Sequence, residues 1–298
     1  MTAQDSATLP AATDLRSGTL SAALGVVSFS LTFPATVWAL DGFGPWTATG
    51  VRGLLAGLLA ALCLRLARAP LPAREHLPAL LTVAGGCVVG FPLLTTLALR
   101  TSGTAHSAVV IGLLPLATAV ISSALTGRRP SRAFWAAAGA GALAVLAFTL
   151  GQSGGLPAVG DLYLFGALLV CAAGYAQGGR LTAHMPGWQV IAWGVVAAVP
   201  VSALVTVLAL PVEPFRPTGT AVAGMAYVAA VSQFGGFVVW YRGMGVIGVP
   251  RASQLQLAQP LLTLGWAVLL LGEELSPLAP VTALAVLACI AATQRARA

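Results

Sequence analysis

Apolar positions along this chain neither alternate nor keep to one narrow helical stripe; they form long runs broken by short clusters of Gly, Pro and charge. A helix rises 1.5 Å per residue, so roughly 20 apolar residues cross the hydrocarbon core of a bilayer. Ten segments meet that need: 18–39, 45–66, 77–99, 103–126, 132–150, 160–180, 187–210, 218–241, 248–271 and 277–293. The pattern predicts an all-α integral membrane protein with ten transmembrane helices. Residues 1–17 and 294–298 are left as tails, and residues 151–159 as a linker. The first tail carries Asp5 and Asp14 and has no basic start leading into a short apolar run, so it reads as a tail and not as a cleaved signal.

One local arrangement occurs twice. Gly103, Pro115, Gly127 and Ser131 return 145 residues later as Gly248, Pro260, Gly272 and Ser276. Trp46 and Trp188 open the second and seventh segments at a similar spacing, where each can anchor an interface. The charges beside the repeat change sign: Arg128 and Arg129 follow the first copy, Glu273 and Glu274 the second. Loop charge explains the change. With a cytoplasmic N-terminus, that side receives Arg16, Arg65, Arg68, Arg74, Arg128, Arg129, Arg132, Arg180, Arg242, Arg251, Arg295 and Arg297, which is 12 of the 15 basic residues. The positive-inside bias therefore puts both termini in the cytoplasm. Ten spans divide into 18–150 and 160–293, and five spans per half force the second half in upside down. The expected architecture is two inverted five-helix repeats.

Composition closes off other classes. Hydrophobic residues make up 58% of the 298 and charged residues 8%, with mean hydropathy +0.90, which no soluble domain of this length shows. The net charge of +7 comes from arginines that punctuate apolar runs, so it reports topology and not nucleic-acid binding. Cys63, Cys87, Cys171 and Cys289 lie singly in apolar segments and read as small buried hydrophobes, without metal or disulfide. No phosphate-binding glycine loop and no compact His/Cys/Asp group supplies nucleotide or hydrolytic chemistry. The chain is expected to be no enzyme and to need no cofactor.

Candidate chemistry sits inside the runs. Pro34, Pro92, Pro115 and Pro260 each remove an amide donor near a span centre, so each is a kink that either shapes a cavity or moves as a gate. Gln254, Gln256 and Gln259 crowd the ninth segment, where they either hold neighbouring helices or face a pathway. Thr32, Tyr175, Tyr227, Ser232 and Gln233 add neutral polar groups, and Phe33, Trp38, Phe91, Phe237 and Trp240 add apolar walls. Such a mixed wall suits a small amphipathic molecule better than an inorganic ion. Arg52 lies seven residues after Pro45, roughly 10 Å below the start of its helix. It either binds an anionic group such as a carboxylate, or snorkels to the surface or pairs with a backbone carbonyl. His106 begins the fourth segment, where it caps, packs or takes a proton. No Asp or Glu lies well inside a span, which argues against a carboxylate proton relay.

From residue 18 to 293 the chain resembles the drug/metabolite transporter superfamily, specifically its EamA-type ten-helix carriers. The resemblance lies in span two with Arg52, in Arg100-Thr101-Ser102-Gly103 through Pro115, and in Gly248 through Pro260 followed by Gly272-Glu273-Glu274. Arg128 and Arg129 depart from it, since family copies often carry an acidic residue after the corresponding glycine. Within the superfamily the chain resembles the YddG-type aromatic amino acid exporters. That resemblance implies export of aromatic amino acids or related amphipathic metabolites across a bacterial inner membrane by alternating access, with Gln254, Gln256, Gln259 and Tyr175 as pathway residues. Threonine or homoserine export belongs to the same class, and a noncatalytic membrane scaffold is the reading from a different class. The expected partners are the small-molecule substrate and membrane lipid, and one bundle is long enough to form the pathway as a monomer.

Overall fold

The computed structural model describes residues 12–127, 130–152, 156–247 and 255–295. Arg128, Arg129, Gly248, Arg251, Gln254 and Arg297 lie outside the described residues. Eight described helices are long and apolar enough to cross a membrane: Leu15–Leu40, Pro45–Leu66, Arg74–Ala98, Thr104–Thr126, Arg132–Gln152, Val159–Leu181, Gly187–Ala209 and Gly219–Met244, numbered below as spans one to eight. Leu58, Leu143 and Val207 on their outer faces are 69%, 66% and 68% exposed, the surface that lipid would cover. The chain is an all-α, multi-pass membrane protein.

Ten spans were expected, and among the described residues the last two segments give stretches shorter than these eight. They form the apolar helices Ala258–Leu271 and Leu278–Ala292. The ninth segment turns at Leu257, just before Pro260, and its expected first stretch falls on residues outside the description.

Regular helix fails at matched places. Span four stops at Ile111 and restarts at Leu114, so Pro115 sits in a first turn where its missing N–H leaves no intrahelical bond unmade. Pro260 holds the corresponding place in the ninth helix after Leu257. Spans three and eight each widen into a π-helical stretch, Ala84–Gly90 and Tyr227–Gly235, and Pro92 follows the first of them. Span one breaks at Leu31, three residues before the buried Pro34. Gly127 and Gly272 end their helices in the left-handed region at φ 65° and 66°, where a Cβ would be strained.

Close packing relies on small residues, because lipid gives little oil–water drive for helix association. Span two packs along span seven, with Gly50 against Thr206, Gly53 against Ser202 and Gly57 against Val199. One set of numbers rises while the other falls, so the two helices run antiparallel. Span one pairs with span eight, three with six, four with the ninth helix and five with the tenth.

Adjacent glycines in the first π stretch test this packing. A Cβ on Gly86 would press on the Val170 carbonyl of span six, whereas one on Gly85 meets nothing within 4 Å. Gly86→Ala is expected to cost about 1–3 kcal/mol through overpacking, and Gly85→Ala to stay within about 0.5 kcal/mol of the parent. Thermal or chemical denaturation of both variants in detergent checks the difference.

Candidate functional site

The helix breaks surround a central cavity of about 60 Å³. Span one contributes Phe29, Thr32 and Phe33 around its break, and span two contributes Arg52. The π stretch of span three brings Cys87, with Phe91 one turn on, and the π stretch of span eight brings Ser232 and Gln233, with Phe237 beyond. Ile111 and Leu114 come from the break in span four, Cys171 and Tyr175 from span six, and Gln256, Gln259 and Thr263 from the ninth segment. Each interruption turns side chains or carbonyls inward that a straight helix would keep on its own surface.

Arg52 is only 6% exposed and fixed by neutral groups. Its Nε donates to Gln233 Oε1 at 2.8 Å and its Nη2 to Ser232 Oγ at 3.3 Å. Ser232 also shares a 2.8 Å hydrogen bond with Thr32 of span one. Gln233 Nε2 donates to the Cys87 carbonyl at 3.3 Å, which joins the two π stretches. The amide thus orients the guanidinium and fills an acceptor in irregular backbone. Opposite these polar groups in character are the rings: Phe29 and Phe237 lie 4.8 Å apart between centroids, and Tyr175 meets Phe237 edge-on at 6.1 Å. The broken middle of span one is held from the ninth helix, where Thr263 donates to the Ser30 carbonyl and Trp266 Nε1 to the Ser30 hydroxyl, both at 2.9 Å.

A second hollow of about 40 Å³ shares Ile111, Leu114, Gln256, Gln259 and Thr263 with the first and adds Pro115 and Pro260. The paired prolines therefore border the space between span four and the ninth helix. The lining offers rings to an aromatic or aliphatic body and polar groups to an anionic or hydrogen-bonding end.

Comparison with known proteins shows the family. The sequence profile of the EamA-like transporter family matches twice, over residues 16–150 and 158–293. The chain belongs to that family. It is 40% identical over 279 residues to a protein of Bacillus subtilis (strain 168) described as "Uncharacterized transporter YdeK", covering 93% of this chain and 97% of that one. A solved structure described only as "Crystal structure of protein" matches with a TM-score of 0.66 over 95% of this chain and 99% of that chain. At 24% identity it speaks for the fold alone. The chain is thus a membrane transporter of the EamA-type drug/metabolite group.

The sequence candidates divide within this EamA-type fold. Arg52, Phe91, Tyr175, Gln256 and Gln259 line the central cavity. Trp38 instead packs at Gly224 of span eight, and Tyr227 donates to the Ser28 carbonyl at 3.0 Å, so these two tie span eight to span one. Gln254 lies outside the described residues. Pro34 is buried in span one and Pro92 accepts from Thr95 and Thr96 through its carbonyl, both as local helix structure. His106 stands at another hollow near the bundle end, paired with Asp161 and stacked on Phe148 at 5.2 Å. Thr263 and the lining roles of Cys87 and Cys171 escaped sequence reading; Thr263 lies one turn after Gln259, a spacing that points both to one helix face.

Two loop acids also have roles the sequence did not disclose. Glu213, after span seven, accepts from Trp46 N at 3.2 Å and Thr47 N at 2.7 Å, at the start of span two. Glu273, after the ninth helix, accepts from Thr104 N at 2.7 Å and Ala105 N at 3.0 Å, at the start of span four. Each carboxylate fills orphan amide donors and meets the positive end of a helix dipole. Both join the second half of the chain to the first at one end of the bundle. Replacing either by Ala is expected to cost about 1 kcal/mol, as loss of a helix cap does. Thermal unfolding in detergent should show two lowered midpoints, with the double variant lower still.

Proposed function

We propose that this protein is a secondary transporter that exports aromatic amino acids or related small amphipathic metabolites by alternating access. The observation that carries this reading is a buried arginine on the wall of a central hollow whose other walls are rings and neutral polar groups. The substrate carboxylate meets the Arg52 fork, its ring packs among Phe29, Phe33, Phe91 and Phe237, and the amides of Gln256 and Gln259 meet its remaining polar group. Polar groups and rings from several spans turned toward one hollow speak for a carrier over a scaffold, whose polar positions would be packed. The protein acts as a carrier and not as an enzyme, one copy forming the pathway.

The chain is proposed to cross the membrane ten times as two inverted repeats, residues 18–150 and 160–293, with both termini cytoplasmic in a bacterial inner membrane. Several observations support this. The family profile matches twice, the π stretches and the left-handed glycines recur at equivalent places, and spans two and seven run antiparallel. The pairing of span one with eight also becomes the pairing of six with three when each helix is exchanged for its counterpart five helices away. Access changes sides as the helices interrupted before Pro115 and Pro260 rock past each other, with Gly112 packed 3.5 Å from Pro260 if it carried a Cβ.

Vesicles reconstituted with the purified chain test the reading. Labelled phenylalanine is expected to show saturable, protein-dependent flux that tyrosine and tryptophan inhibit and threonine inhibits little. Arg52→Gln should lower that flux at least about tenfold, the scale of a lost charge-assisted hydrogen bond. Gln259→Ala, with unchanged protein level, should raise the half-saturating concentration. Absence of protein-dependent flux of phenylalanine and threonine across several imposed gradients would sink the assignment.

A further inference from the structure

The charge inventory of the cavity narrows the substrate, on the basis of the carrier reading above. The sequence holds 8 acidic residues: Asp5, Asp14, Asp41, Glu75, Asp161, Glu213, Glu273 and Glu274. Among the described residues, no acidic side chain lines the central cavity. Glu213 and Glu273 serve helix N-termini, and Asp161, 1% exposed, holds His106 and its own helix start at Ala158 N. Arg52 is thus a buried cation whose described partners are an amide oxygen and a hydroxyl. Its fork carries five N–H donors, and those two hydrogen bonds leave donors for a ligand on the cavity wall.

A cation held by neutral dipoles inside a bundle gains most from an anion brought to it, because burial weakens competition from water. An ammonium group in the same space meets the opposite field. Gln256, Gln259, Tyr175 and Thr32 offer it neutral acceptors, while Arg52 repels it. A zwitterion therefore gains at one end and loses at the other, whereas a monoanion of the same shape only gains. We propose that the preferred substrate is an aromatic monocarboxylate without an α-ammonium group, such as a 2-hydroxy acid, and that the membrane potential drives its export.

The energetics follow from what crosses. A monoanion leaving a cell with a negative interior moves down the electrical potential, and 100 mV sustains roughly a 50-fold excess on the positive side. An amino-acid zwitterion carries no net charge and gains nothing from the same potential. The result depends only on the charge of the transported molecule, so it holds whatever small movement Arg52 makes during the cycle. It also removes the need for a proton-carrying acid inside a span.

Phenylalanine and 3-phenyllactate form a matched pair, since a hydroxyl replaces the ammonium on one skeleton. Full-length protein in neutral-lipid vesicles would be given a potassium diffusion potential with valinomycin, and uptake of each labelled compound toward the positive side followed beside protein-free vesicles. The expected result is phenyllactate flux at least about tenfold above phenylalanine flux, with accumulation near 50-fold at 100 mV, and phenylalanine flux unaffected by the potential. Arg52→Gln should abolish the preference, whereas Arg52→Lys, which keeps the charge, should retain the response to potential at a lower rate. Phenylalanine moving as fast as phenyllactate or faster would overturn the charge selectivity while leaving amino-acid transport standing. Protein-dependent flux of neither compound would overturn both.

Discussion

A peptide group within the hydrocarbon core has no water to bond, so every interruption of a transmembrane helix must be answered by another part of the protein. This chain interrupts its helices at Leu31, in the two π stretches, before Leu114 and at Leu257, and all five places border one region. Their carbonyls are met from across the bundle: Cys87 by Gln233, Ser30 by Thr263, and Ser28 by Tyr227. Each such bond joins helices that are far apart in sequence. The need to satisfy the backbone thus gathers the polar side chains, and the gathered side chains enclose a cavity.

Charge is distributed by the same constraint. Carboxylates stay at the span ends, where Glu213, Glu273 and Asp161 find amide donors at helix starts. Among the described residues the Arg52 guanidinium remains inside with its neutral hydrogen-bond partners. Its place in the other half is taken by Gly194, counting by the Trp46 to Trp188 spacing, and there Val83 of span three closes in. Near-matched halves therefore build one charged wall and one small-residue contact. The recurring backbone features give the bundle its common frame, and this departure from symmetry gives the cavity its polarity.

Much of the fold was readable because its signals are local. Long apolar runs and the prolines at Pro115 and Pro260 act through their own backbone, and the repeated Gly127 and Gly272 prove to end their helices in the left-handed region. The ninth segment is harder to read. Its hydropathy is continuous, yet the helix is broken beside Leu257, because Pro260 removes a donor that a length count ignores. Site residues divide by a similar rule. Arg52, Gln256 and Gln259 attract notice as polar groups in apolar surroundings and do border the cavity, whereas Trp38 and Tyr227 look equally suitable and pack between spans one and eight. A single sequence shows that a side chain is polar or aromatic; it does not show which neighbour its helix face will meet.

Sequence by itself determined that this chain lives in a bilayer, where its helices run, that its two halves share a pattern, and that Arg52 is an unusual charge to bury. Those properties follow from hydropathy, rise per residue and side-chain chemistry, all of which are set within one or two turns. Only tertiary structure decided that Gln233, 181 residues away, holds Arg52, that Glu213 and Glu273 close helix starts in the opposite half, and that two π stretches meet through one amide. Those contacts depend on how helices rotate and cross. Rotation and crossing are set by the summed packing of small residues such as Gly50 and Gly53 against span seven, a property of the whole bundle.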